Sequence, residues 1–242
     1  MHYKTHIYED NIQASRAVAE VILEKSFAKS NEGKMLNVAL SGGSTPQQLF
    51  KQLADEYANL IPWKNINLYW VDERCVPPTD SESNFGMTYD TLLNKSFIPA
   101  ENIHRIKGED IPKNEVERYK ELLWKNLPVK NGFPVFDIIL LGMGDDGHTA
   151  SIFPNNLELL HSEYSVAQAT HPLSGQKRIT LTGKTICNAE KILFLICGIS
   201  KAHVLKQIIN NEPDSKQFPA ANIGNCECIV DFYIDKKAGS LL

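Results

Sequence analysis

The chain has 242 residues and a formal net charge of −4 at pH 7, with 43% hydrophobic and 22% charged residues. These fractions are typical of a globular protein and argue against long disordered stretches. No basic stripe or tail is visible, which argues against a nucleic-acid partner, and no apolar run is long enough to span a membrane. An anionic ligand would therefore have to bind in a local pocket.

Short apolar runs alternate with helical patterns along the chain. Residues 14–22 carry apolar side chains on one face of a 3.6-residue period, which predicts a helix. Further helices are expected over residues 46–58, 115–126 and 201–210. Strands are expected over residues 36–41, 66–71, 136–141, 179–182, 192–197 and 228–233. This alternation predicts a parallel sheet covered by helices. Because no linker or internal repeat interrupts it, we expect one α/β domain over residues 1–242.

The cysteines predict free thiols. There are five, an odd number, and the N-terminus has no apolar signal-peptide core, so we expect a cytoplasmic protein with reduced cysteines. Cys226 and Cys228 have no second cysteine or histidine pair nearby and are interpreted as strand-end thiols. We therefore expect no metal and no cofactor.

The first unusual loop follows the strand at 36–41, and ligands of such sheets bind at the carboxyl ends of the strands. Gly42 and Gly43 can leave backbone N–H groups exposed at the start of the next helix, where Gly43 and Ser44 could hold a phosphate. Thr45 is predicted to cap this helix, with Pro46 at its first position and Gln48 closing a capping box. A capped turn without a ligand fits the loop equally well. The Gly-Lys-Ser/Thr of a nucleoside triphosphate loop is missing.

The second loop places three charged residues directly after the strand at 66–71. Arg74 could bind phosphate or carboxylate oxygens through its fork of N–H groups, and Asp72 could accept sugar hydroxyls or orient a base. A solvated turn with an internal ion pair is the alternative. The segment 83–86 that follows is expected to start a helix.

The third loop, after the strand at 136–141, contains a Gly-x-Gly-x-x-Gly pattern at residues 142–147. This pattern is typical of dinucleotide sites, but Asp145 and Asp146 would place two negative charges beside a pyrophosphate. Pro154 would also cut short the helix that such a site needs. We therefore expect no dinucleotide here.

His148 is the better candidate for chemistry in this loop. An imidazole can act as a general acid and base near neutral pH, and a carboxylate two residues earlier, Asp146, can fix its tautomer. Whether Asp146 or Asp72 supports His148 stays open at this point. His171 and His203 lack such neighbours and are interpreted as surface or packing residues.

In chain order these segments resemble the 6-phosphogluconolactonase family, within the larger group that includes glucosamine-6-phosphate isomerase/deaminase. The matching segments are Leu-Ser-Gly-Gly-Ser-Thr-Pro (40–46), Asp-Glu-Arg-Cys-Val-Pro (72–77), Ser-Asn-Phe-Gly-Met (83–87), the block 140–154, Arg-Ile-Thr-Leu-Thr (178–182), Cys-Gly-Ile-Ser-Lys (197–201) and Phe-Pro-Ala-Ala (218–221). The resemblance implies a three-layer αβα sandwich with a mostly parallel, Rossmann-like sheet. It also implies metal-free hydrolysis of 6-phospho-D-glucono-1,5-lactone in the oxidative pentose phosphate pathway.

The resemblance also assigns roles to residues that spacing alone does not identify. Ser44, Arg178 and Lys201 match positions that hold the sugar phosphate, and Arg74 looks like a second substrate-binding arginine. His148 matches the catalytic histidine, with Asp146 in its supporting loop. We expect a small-molecule substrate and a monomer, with a weak homodimer as the alternative.

Two rival functions remain. The amino-sugar isomerase/deaminase family has a glutamate five residues after the histidine, where this chain has Phe153, which favours the lactonase. A sugar-phosphate sensor that binds without turnover is the second alternative, since fold alone does not decide function.

Overall fold

The computed structural model describes residues 3–242, in which strands and helices alternate along most of the chain. The strands are β1 (Tyr3–Tyr8), β2 (Leu36–Leu40), β3 (Ile66–Trp70), β4 (Asp72–Arg74), β5 (Ile103–His104), β6 (Val129–Lys130), β7 (Phe133–Pro134), β8 (Ile138–Leu141), β9 (Val166–Thr170), β10 (Lys177–Leu181), β11 (Lys191–Ile196) and β12 (Ile229–Asp235). The helices are α1 (Asn11–Asn31), α2 (Ser44–Asp55), α3 (Asn84–Thr91), α4 (Pro112–Asn126), α5 (Gly183–Cys187), α6 (Ala202–Ile209) and α7 (Pro219–Gly224).

Seven of these strands form one sheet in the order β1-β12-β11-β8-β2-β3-β5, and every neighbouring pair is parallel. All residues of β2 and β8 are buried, as expected of strands covered on both faces. After β2 the chain returns to this sheet at β3, on one side of the β2–β8 pair. After β8 it returns to this sheet at β11, on the other side of the pair. The loops after β2 and β8 therefore diverge and leave a crevice at the carboxyl ends of these strands.

A second sheet is antiparallel and has the order β4-β10-β9. The strand predicted over residues 179–182 is its middle strand, so placing that segment in the parallel sheet was wrong. The physical reason is the short connection between β9 and β10, residues 171–176, which allows an antiparallel pair but is too short for a parallel crossover. This sheet brings β4 and β10 to the edge of the crevice.

The strand β1 was not predicted. It lies at the edge of the parallel sheet, where it pairs with β12. Its sequence, Tyr-Lys-Thr-His-Ile-Tyr, is rich in β-branched and aromatic residues and could have indicated a strand. The helix α1 follows it and is capped by Asp10, whose carboxylate accepts a hydrogen bond of 2.9 Å from the N–H of Gln13. Among residues 3–242, no helix is both long and apolar enough to cross a membrane.

The prediction of five reduced cysteines is wrong for two of them. Cys187 ends α5 and Cys226 follows α7, and a disulfide joins them although they are 39 residues apart in sequence. Because α5 and α7 contact each other, the two Cα atoms come within 5.4 Å, which the sequence spacing does not indicate. Cys226 is therefore not a free strand-end thiol, whereas Cys75, Cys197 and Cys228 are free.

Candidate active site

A cavity of about 390 Å³ opens at the carboxyl ends of β2 and β8. It also takes side chains from β4, from β10 and from the segment that precedes α6. The predicted site residues that line it are Gly43, Ser44, Asp72, Arg74, His148, Arg178 and Lys201. Asp146 does not line the cavity but contacts His148. The structure therefore brings all the predicted site residues together.

The loop after β2 exposes the start of α2 to the cavity. The helix begins at Ser44 with Gly43 as its N-cap, and Gly43 has a φ of 112° that favours glycine. Thr45 is therefore not the cap, Pro46 is not the first helical residue, and no side-chain hydrogen bond closes the expected capping box. The physical reason is that the helix starts one residue before the expected cap. Its first N–H groups are not capped by side chains and can donate to an anion.

Arg74 and Arg178 also line the cavity. They lie directly across from each other in the antiparallel pair of β4 and β10. The Nε atom of each is buried and has no hydrogen-bond partner among residues 3–242. Arg178 is buried, and burial lowers its pKa below the usual value because it disfavours the charged form. Two neighbouring guanidinium groups with unused donors form a site for an anion.

Asp72 is buried beside these arginines and is held by neutral donors. Its carboxylate accepts a hydrogen bond of 2.6 Å from the hydroxyl of Ser151 and one of 3.4 Å from the amide of Asn84. Neither bond involves His148. Asp72 therefore lines the cavity without contacting His148.

Asp146 is the carboxylate that contacts His148. Its Oδ1 lies 2.6 Å from Nδ1 of the imidazole and also accepts a hydrogen bond of 3.1 Å from the backbone N–H of His148. Burial is the largest single influence on Asp146 and opposes its ionisation, but the hydrogen bonds and charge of His148, with backbone hydrogen bonds, together lower the pKa of Asp146. Because an ionised carboxylate can only accept, Nδ1 carries the proton of this hydrogen bond. The other ring nitrogen, Nε2, is then free to accept a proton.

Gly144 makes the close approach of this pair possible. A Cβ atom at Gly144 would lie 2.1 Å from Nδ1 of His148 and 2.6 Å from Oδ1 of Asp146. No side chain fits in that space. A similar constraint applies across the cavity, where a Cβ at Gly42 would lie 1.8 Å from the amide oxygen of Asn84.

Glu73 fixes the loop that carries Asp72 and Arg74. It is buried and accepts hydrogen bonds of 2.8 Å from the backbone N–H groups of Arg74, Asn84 and Phe85. Burial raises the pKa of Glu73 even though these hydrogen bonds act to lower it. The three consecutive charged residues are therefore not a solvated turn with an internal ion pair.

Lys201 lines the cavity but already has a partner there. Its Nζ lies 2.5 Å from Oδ1 of Asp145, which also accepts a hydrogen bond of 3.0 Å from Ser200. The hydrogen bond from Lys201 lowers the pKa of Asp145 below its usual value, so this carboxylate is ionised at neutral pH. Lys201 is thus paired with a carboxylate from the same loop as His148.

Sequence reasoning missed the roles of several residues in the site. Asn84 links α3 to Asp72 by donating to its backbone oxygen at 2.9 Å, and its position at the predicted helix start was the available signal. Phe153 is fully buried, with its ring centroid 4.8 Å from that of His148. No α-helix directly follows the Gly-x-Gly-x-x-Gly pattern, and an isolated bridge joins Thr149 and Ile152. Within residues 3–242, no group of three or more His, Cys, Asp or Glu side chains is arranged to hold a metal ion.

Comparisons with known proteins show the family of this chain. The model of the family described as glucosamine-6-phosphate isomerases/6-phosphogluconolactonase matches residues 9–230. The chain belongs to this family. It is 47% identical to the 6-phosphogluconolactonase of Haemophilus influenzae over 208 residues, which cover 86% of this chain and 88% of that protein. It is 42% identical to the 6-phosphogluconolactonase of Treponema pallidum, again over 208 residues, covering 86% of this chain and 85% of the relative.

A solved structure supports the same assignment. The 6-phosphogluconolactonase of Trypanosoma brucei superposes with a TM-score of 0.89 at 29% identity, covering 99% of this chain and 98% of that one. The predicted family and the predicted αβα fold class are therefore confirmed.

Proposed function

We propose that this protein hydrolyses 6-phospho-D-glucono-1,5-lactone to 6-phospho-D-gluconate. One observation carries the proposal: an imidazole with an ionised carboxylate on Nδ1 faces the same cavity as two arginines with unused buried donors. The first feature suits proton transfer to and from water, and the second suits a sugar phosphate. The names of relatives at 42% and 47% identity support this choice of substrate.

The substrate phosphate would bind between the start of α2 and the cationic side chains. Ser44 and the first N–H groups of the helix offer donors on one side, and Arg178 and Lys201 offer charge on the other. Asp72, held by Ser151, would accept a hydroxyl of the sugar. These contacts fix the lactone end near His148, so that binding energy is used to orient the reacting carbonyl.

The chemical step would use His148 as general base and then as general acid. Asp146 holds the proton on Nδ1, so Nε2 takes a proton from water as the water attacks the lactone carbonyl. Nε2 then returns a proton to the ring oxygen when the ester bond breaks. Such a group contributes about 10²- to 10⁴-fold, and each donor to the oxyanion adds roughly 10²- to 10³-fold. Arg74 and backbone N–H groups at the cavity are the candidates for these donors.

The proposal treats residues 1–242 as one catalytic unit, since the site combines loops of the parallel sheet with residues of the antiparallel sheet. It places the reaction in the oxidative pentose phosphate pathway and in the cytoplasm, with the chain acting as a monomer. Sedimentation of the purified protein tests the last point directly.

The test is acid release from freshly prepared phosphorylated lactone, measured against the spontaneous background. Gluconolactone without the phosphate is the matched control, and glucosamine 6-phosphate tests the isomerase/deaminase alternative through ammonia release. Fast turnover of the phosphorylated lactone alone supports the proposal. Ammonia release would favour the deaminase, whereas a rise in Tm with 6-phosphogluconate and no turnover would favour a sensor.

A further inference from the structure

The ion pair of Asp145 and Lys201 creates a conflict at the cavity. Lys201 is a proposed phosphate ligand, yet its ammonium group already lies 2.5 Å from the carboxylate of Asp145. Asp145 also lines the cavity, so a phosphate bound to Lys201 would lie close to a second negative charge. Like charges at such distances repel each other. A phosphate and the Asp145 carboxylate therefore compete for one ammonium group.

The exposure of the two side chains indicates which partner can move. The side chain of Asp145 is 67% exposed and that of Lys201 is 20% exposed. The Asp145 carboxylate can turn into water at small cost, because most of its side chain is already in contact with solvent. Asp145 would give up its hydrogen bonds from Lys201 and Ser200 in this move. The neighbouring Asp146 is less exposed, at 46%, and accepts from both the ring and the backbone N–H of His148.

We propose that Asp145 is a displaceable counter-ion of Lys201 that competes with the substrate phosphate and so sets its affinity. The inference rests on the proposed function, since it takes the competing anion to be the phosphate of substrate and product. When phosphate binds, Lys201 exchanges Asp145 for the phosphate oxygens. When the product leaves, Asp145 takes Lys201 back.

The test measures binding and turnover separately. Calorimetric titration with inorganic phosphate and with 6-phosphogluconate gives Kd for the wild type and for Asp145→Asn, which keeps the size of the side chain but removes its charge. We expect Asp145→Asn to lower both Kd values by about threefold to tenfold and to lower KM for the phosphorylated lactone similarly. Asp145→Glu, which keeps the charge, should have Kd and KM values near those of the wild type. In both variants kcat/KM for gluconolactone should not change, because this substrate has no phosphate.

A double-mutant cycle separates competition from simple repulsion. In a Lys201→Met background the tightening by Asp145→Asn should shrink, because no ammonium group is left to release. An equal tightening in that background would overturn the inference, because Asp145 would then act through charge alone. A higher Kd in Asp145→Asn would overturn it as well, since Asp145 would then position Lys201 for phosphate.

The same data distinguish failure of the inference from failure of the proposed function. If phosphate binds more tightly to Asp145→Asn through Lys201 but the lactone is not hydrolysed, the counter-ion role holds and the lactonase proposal fails. If the wild type hydrolyses the lactone and Asp145→Asn leaves every Kd unchanged, the lactonase proposal holds and the counter-ion role fails.

Discussion

Arg74 and Arg178 lie directly opposite each other on β4 and β10, and the Nε atom of each is buried without a hydrogen-bond partner among residues 3–242. Like charges in this position destabilise a sheet. Nη1 of Arg74 donates to the backbone oxygen of Glu82 at 2.5 Å. Because this oxygen is neutral, the contact does not offset the positive charge of the guanidinium. An anion bound between the strands would therefore stabilise this pair of arginines.

This relationship predicts the behaviour of Arg178→Met, which removes the charge but retains much of the volume. The free energy of unfolding of the unliganded protein should stay the same or rise, because a poorly solvated charge is lost. Inorganic phosphate should raise Tm less than it does in the wild type, and KM for the phosphorylated lactone should rise more than kcat falls. Urea denaturation with and without phosphate, together with steady-state kinetics, measures these effects.

Arg118→Met is the matched control for this variant. Arg118 pairs with Glu115, whose side chain is fully buried, so its loss would leave this buried carboxylate with no paired cation and, among residues 3–242, only the backbone N–H of Lys107 as a donor. We expect this variant to lose about 3–5 kcal/mol of stability. Equal destabilisation of the Arg178 and Arg118 variants would contradict the interpretation of the arginine pair as an anion site.

The core of this architecture could be predicted from the sequence because its signals are local. Apolar runs such as 136–141 and the loops at residues 42–46 and 142–148 identify the parallel sheet and its ligand-binding edge. The role of Arg178 is different, since only family resemblance indicated it. The position of Arg178 depends on the pairing of β10 with β4 in the antiparallel sheet, a long-range contact that no local pattern indicates.

The other features that the sequence did not indicate have similar physical causes. The disulfide between Cys187 and Cys226 depends on the packing of α5 against α7, and the pair of Asp145 and Lys201 joins loops 56 residues apart. The start of α2 was misplaced because its N-cap is a glycine, whereas the expected motif used the side chain of Thr45. The disulfide and the ion pair depend on tertiary contacts. The start of α2 has no side-chain cap that the sequence could have indicated.

Asp146→Asn should lower kcat by roughly 10²- to 10⁴-fold with little change in KM, because Nδ1 of His148 would lose its ionised acceptor. Asp72→Asn tests the other carboxylate, which is bonded to Ser151 and Asn84. This second variant should mainly raise KM. Steady-state kinetics with the phosphorylated lactone separates the two effects, and a larger loss of kcat in the Asp72 variant would reverse the assignment.

Gly144→Ala should lower kcat nearly as much as Asp146→Asn, because the added methyl group would overlap Nδ1 of His148 and push the imidazole away from its carboxylate. Gly142→Ala is a control in the same loop, since a Cβ there would meet no atom within 4 Å. It should retain near wild-type kcat. Normal kcat in Gly144→Ala would show that the close contact of His148 and Asp146 is not needed for turnover.

Reduction of the disulfide should lower the free energy of unfolding by about 2–4 kcal/mol, because the crosslink limits the unfolded chain. Urea denaturation with and without a thiol reductant measures this difference. Cys226→Ser should remove the sensitivity to reductant, whereas Cys228→Ser, which changes a free thiol, should retain it. Identical stability of the wild type under both conditions would argue against the disulfide in solution.

The most direct test of the central claim is acid release from 6-phosphogluconolactone by the wild type and by His148→Ala, with gluconolactone run in parallel and the fold of both proteins checked by circular dichroism. We expect the wild type to hydrolyse the phosphorylated lactone far faster than the spontaneous reaction and the variant to lose most of kcat. Unchanged turnover in a folded His148→Ala protein, or a wild-type rate no higher than background, would contradict the account.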